Sequence, residues 1–138
     1  NIECINAGYT EEPDVTRINI VVTVENKAEL DQAINQLAKL IDVIKVVNLD
    51  EAPYVSYELA MVKVKCPTPT IRCELSNLAE LFHAKIVDVQ PESLVFRITG
   101  REDHVEATLM MLCQYEILEI ARTGQIYLSR GLVPLKNC

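Results

Sequence analysis

The residues with the most chemistry to offer are five cysteines (Cys4, Cys66, Cys73, Cys113 and Cys138) and two histidines (His83 and His104). The cysteines are odd in number and no two lie closer than seven residues. That is neither a disulfide framework nor the CxxC spacing of a zinc site, and it suits a reducing compartment. Cys66 or Cys73 would be the nucleophile of a small enzyme, yet spacing assigns no triad, because triads assemble in space. His83 follows the apolar face of a helical pattern and has no partner at metal-ligand spacing. His104 sits in the charged run REDHVE. Both read as structural or surface residues. Only four glycines occur, and neither GxGxxG nor GxxxxGK is present, so a glycine-rich phosphate loop is excluded. Arg122, in ARTG, stands at a strand end before Gly124. It either holds the turn by hydrogen bonding or contacts a partner subunit or dimer mate.

The bulk numbers narrow the classes further. The chain has 138 residues, one ordinary domain or two very small ones. It is 49% hydrophobic, enough to build a core. Twenty acidic residues against 13 basic give a net charge of -7, which disfavours nucleic acid and anionic membranes as partners. No apolar run approaches the length of a membrane span.

Elements to position these residues follow from periodicity. The opening NIECINAGYT and TRINIVVTV (16–24) read as two strands joined at EEPD (11–14), a hairpin. Asn26 followed by Glu29 resembles a capping box. Leu30, Ile34, Leu37 and Ile41 then mark one helical face. VIKVV (43–47) reads as a β-branched strand, and a domain boundary is placed at 51–55. The second half begins again with strand 59–65. CPTPT then leads into a helix carrying Ile71, Leu75, Leu78 and Leu81. Strands 85–89 and 94–99 follow, then a helix with Val105, Leu109 and Leu112, then strands 116–121 and 126–128. The Leu and Ile stripes are expected to be core rather than cofactor boxes, or in part to be buried between subunits. This half is a βαββαβ unit, the ferredoxin-like plan. The first half, ββαβ, is the same plan without its leading strand and helix. The expectation is an α+β protein of two ferredoxin-like units: 1–50, a linker at 51–55, and 56–138.

Five collinear segments carry a resemblance: NIE at the start, LIDVIKV (40–46), YELAMVKV (57–64), AKIVDV (84–89) and EIARTGQIYLSRG (119–131). Together they resemble the small regulatory subunit of acetohydroxyacid (acetolactate) synthase. The resemblance implies an N-terminal ACT domain lacking its first strand and helix, followed by a complete βαββαβ domain. It implies a non-catalytic subunit that pairs through its ACT domains, binds and activates a catalytic large subunit, and confers feedback inhibition by valine or a related branched-chain amino acid. Thiamine diphosphate, FAD and magnesium would belong to that large subunit, with no cofactor or metal in this chain. The implied compartment is the cytoplasm, or a plastid. Asn1 and Ile2 match the Asn-Ile pair that forms one wall of the family's effector site. An asparagine amide offers a donor and an acceptor to the amino acid's charged groups. Ile2 would supply an apolar wall sized for valine. The sequence departs from the family pattern at Cys4, at Ser56 and Tyr57, and at His83, departures that bear on charge pairing rather than fold. Three rivals stand beside this reading: a free-standing amino-acid-binding ACT protein serving another partner, a small cysteine enzyme, and a metal-responsive module.

Overall fold

A computed structural model describes residues 1–132. The chain divides into two compact units. One contains residues 1–55 together with the described residues from Ile126 onward, and the other is Ser56–Gln125. The last strand therefore lies in the first unit, whereas the expected second domain ran through it to 138.

In the first unit, β1 (Ile2–Tyr9) and β2 (Thr16–Val22) form the expected antiparallel hairpin. Its turn places Asp14 at a φ of 64°, a left-handed conformation that a short polar side chain tolerates. Strand alternation separates two faces. Ile5 lies opposite Ile20 and Ala7 opposite Ile18 on one, while Asn6 faces Asn19 and Gly8 faces Arg17 on the other. On the polar face the Asn19 amide donates to Asn6 Oδ1 at 2.9 Å, and the Arg17 guanidinium donates to the Tyr127 carbonyl. Helix α1 (Lys27–Ala38) is capped as the sequence predicts, with Asn26 Oδ1 accepting from Glu29 N–H at 2.8 Å. The returning arm shifts by one residue: the Glu29 carboxylate accepts from the N–H of Glu25, not of Asn26.

Two expectations fail in this unit. VIKVV is not a strand; residues 43–48 take no regular structure. A β-branched run becomes a strand only beside an edge that takes its backbone hydrogen bonds, and no described strand lies beside this one. Nor is the helical stripe core. Helix α1 has no buried residue, and Ile41 is 98% exposed. Two strands and one helix present too little surface to bury one another.

The second unit fulfils the ferredoxin-like pattern. Its elements are β3 (Tyr54–Lys65, which begins in the first unit), α2 (Pro69–Leu81), β4 (Lys85–Gln90), β5 (Ser93–Gly100), α3 (Glu102–Leu112) and β6 (Ile117–Arg122). The antiparallel sheet runs β4-β5-β3-β6, and β7 (Ile126–Ser129) pairs with β3 off that path. The proline pair ends β3 and opens α2, where the Thr68 hydroxyl caps the Ile71 N–H at 3.2 Å with Pro69 at the first helical position. One sheet face carries Ala60, Val62, Val64, Leu94, Phe96 and Ile98, which pack on Leu75 and Ala79 of α2 and Val105, Leu109 and Leu112 of α3. Here Leu75, Val105, Leu109 and Leu112 of the stripes are core as expected and Ile71 packs against it, while Leu78 is half-buried and Leu81 exposed.

Candidate functional site

The largest concentration of interacting charge surrounds Glu58. Alternation along β3 puts Glu58 on the same face as Ala60, Val62 and Val64, and it is only 4% exposed. A buried carboxylate is costly unless paired. Arg122, near the end of β6, supplies the pairing: its Nε and Nη2 engage the two Glu58 oxygens, the second at 3.1 Å. The Gln125 amide donates to Glu58 Oε2 at 2.7 Å. Arg122 Nη1 reaches Glu106 of α3 at 2.7 Å. The Arg122 hydrogen bonds hold the Glu58 carboxyl below its ordinary range against the opposing effect of burial. Glu58 in turn pushes the Arg122 guanidinium further toward its charged form. The neighbouring turn is tied to β3 as well, since Thr123 Oγ1 accepts from Leu59 N–H at 3.1 Å and Thr123 N–H donates to the Leu59 carbonyl at 3.0 Å. This cluster is a fastening among strand, strand and helix. It gives Arg122 an internal occupation of the turn-stabilising kind.

The start of β1 is a different kind of place. Ile2 lies opposite Val22 and is 61% exposed, and a register irregularity follows it before Cys4. The Asn1 carbonyl accepts from Thr23 N–H at 2.9 Å, which fixes the strand entry, and Asn1 itself is exposed. Asn1 and Ile2 are thus adjacent in the chain and both exposed at the entry to β1.

Of the remaining candidates, Cys66, His83 and His104 are held in structural positions. Cys66 is buried, with its thiol directed at the Thr68 carbonyl at 3.8 Å, while Cys73 and Cys113 are exposed. His83 follows α2 at a φ of 55°, the left-handed position that closes the helix. His104 packs against Gly100 so closely that a β-carbon there would stand 2.7 Å from its ring. Among the described residues no group of three or more histidine, cysteine or acidic side chains is arranged to hold a metal. The void between α2 and α3 measures about 10 Å³, the scale of one water rather than of an amino acid. No described helix is long and apolar enough to cross a membrane.

Comparison with known proteins supplies what geometry alone leaves open. Residues 57–131 match the sequence model of the small subunit of acetolactate synthase, and residues 1–45 match that of the ACT domain of such small subunits. The chain belongs to the acetolactate synthase small-subunit family. The acetolactate synthase small subunit of Bacillus subtilis is 42% identical over 131 residues, 95% of this chain and 76% of that protein. The one from Mycolicibacterium smegmatis is 44% identical over the same shares. A crystal structure of the acetolactate synthase small subunit from Thermotoga maritima superposes with a TM-score of 0.84 at 35% identity, over 96% of this chain and 82% of that one.

In the terms of this family, Asn1 and Ile2 lie in the part that matches the ACT domain and Arg122 in the part that matches the C-terminal model. Sequence reasoning singled out Arg122 but missed its partners Glu58, Glu106 and Gln125. The signal for Glu58 was available: it shares the parity of Ala60, Val62 and Val64 in YELAMVKV, and an acid in register with a buried face calls for a buried cation.

Proposed function

We propose that the chain is the non-catalytic regulatory subunit of acetolactate (acetohydroxyacid) synthase in branched-chain amino acid biosynthesis. It docks on the catalytic large subunit, raises that subunit's activity and makes it sensitive to feedback by valine. The observation that carries this reading is that two distinct small-subunit sequence models match consecutive stretches, 1–45 and 57–131, across nearly the whole chain. Thiamine diphosphate, FAD and magnesium belong to the large subunit, and the complex works in the cytoplasm. The chain pairs with a second copy through ACT domains, and the effector lies against Asn1 and Ile2. There the asparagine amide meets the charged end of the amino acid and Ile2 meets its branched side chain. An apolar wall of this kind separates ligands that differ by one methylene by only about 1–3 kcal/mol, so leucine and isoleucine are expected to act at higher concentration.

Adding the full-length chain to purified large subunit tests the reading. Turnover should rise to a plateau at a fixed ratio of subunits. Valine should then bind the wild type and bind Asn1→Ala about tenfold or more weakly, the weight of a hydrogen bond to a charged group. Turnover unchanged at every ratio would contradict the proposal.

A further inference from the structure

The outer face of the second unit's sheet, away from α2 and α3, carries an arrangement that the functional reading has not used. One row crosses four strands: Lys85 on β4 lies opposite Arg97 on β5, Arg97 opposite Met61 on β3, and Met61 opposite Ala121 on β6. Each of these residues alternates with side chains of the core face, and Lys85, Arg97 and Met61 are all exposed. Two cations directly across a strand pair repel each other. Among the described residues neither Lys85 nor Arg97 forms an ion pair. Of the acids on neighbouring strands, Glu119 pairs with Lys63 at 3.0 Å and Glu116 with Lys65 at 3.7 Å, while Asp88 accepts from the Gln90 amide at 3.2 Å and forms no ion pair with the row. In a chain of net charge -7, an unneutralised cation pair beside an exposed methionine is a local reversal of the surface's character.

We propose that this row docks an acidic segment of the partner large subunit, with carboxylates set between Lys85 and Arg97 and an apolar residue on Met61. The inference rests on the reading of the chain as a regulatory subunit and locates one surface of that contact. Charge complementarity selects the occupant. A second copy meeting this face with the two-fold axis at the row would bring Lys85 and Arg97 against their own copies, with Glu119 and Glu116 already paired. An acidic partner segment supplies the missing counter-charge and relieves the repulsion within the row.

The test measures association of the full-length chain with purified large subunit at low and raised salt. It compares the wild type with Lys85→Glu, Lys85→Glu/Arg97→Glu, and a control, Arg101→Glu at the start of α3, that matches the charge change of Lys85→Glu. The double variant should associate about tenfold or more slowly at low salt and lose much of the salt dependence, while the control stays near wild type. Lys85→Glu creates an opposite-charge pair with Arg97, so it should raise the melting temperature while weakening association. A variant damaged in folding would lower both. Equal association by the double variant and the wild type would overturn the inference and leave the functional reading standing, as would an equal loss in the Arg101→Glu control. A change in self-association alone would overturn it in favour of a second copy. A wild-type chain that binds no large subunit would sink the functional reading and this surface with it.

Discussion

Removing the Arg122 guanidinium would leave the Glu58 carboxylate buried without its cation. Breaking a buried pair from one side costs about 3–5 kcal/mol. Because the outer part of Arg122 is in water, Arg122→Ala should cost near the low end, about 3 kcal/mol, measured by denaturant unfolding. Arg122→Lys should recover only part of this, since an ammonium cannot grip Glu58 with two parallel bonds while reaching Glu106. The pH dependence follows from the direction of the Glu58 shift. Its folded value lies below the unfolded value, so the stabilisation is fully present above the unfolded value of about 4.3. It is lost as pH falls through the depressed folded value. A plot of stability against pH should therefore fall more steeply on the acid side for the wild type than for Glu58→Gln. Parallel acid limbs would remove the carboxylate from the account. At this scale the sequence shows that Arg122 is placed to act and marks Glu58 by its parity on β3, but it does not show that the partners meet. Two of them come from elements about 16 and 64 residues away in the chain, joined to it only by the fold.

Among the elements, those governed by local chemistry were legible. The Asn26 and Thr68 caps, the EEPD turn and the prolines that end β3 act within a few residues, and each is found where the sequence puts it. The βαββαβ order of the second unit was legible for a related reason: each amphipathic stripe meets an opposing one and is buried. VIKVV failed because strand formation depends on a neighbouring edge that its own residues cannot specify. The α1 stripe failed because periodicity tells which side of a helix is apolar and says nothing of whether anything covers it. His83 offers an element-scale prediction. It closes α2 in a left-handed conformation that favours glycine. His83→Gly should stabilise the chain by up to about 1 kcal/mol, read as a raised melting temperature, and His83→Val should lower it. A neutral outcome for both would mean that this turn bears no strain.

For the whole molecule, the two units differ in how complete they are within the described residues. The second has a closed core with Phe96, Leu75, Leu94 and Ile98 essentially without solvent contact. The first leaves Ile5, Ile18, Leu40 and Ile44 more than half exposed. Apolar surface of that extent is characteristic of interaction sites, in keeping with a subunit that acts through association. The family was readable from five collinear segments, and the architecture of the second unit from the periodicity of its strands and helices. The effector site proposed at Asn1 and Ile2 rests on the resemblance alone, since two residues have no periodicity to mark a binding surface. If valine acts by equilibrium coupling, the large subunit must change the chain's affinity for valine by the same factor as valine changes the chain's affinity for the large subunit. The most direct measurement is the valine dose–response of purified large subunit with and without a saturating amount of the full-length chain. The account predicts activity that is low and indifferent to valine alone, and raised and inhibited by valine when the chain is present. An identical valine response in the two conditions would contradict it.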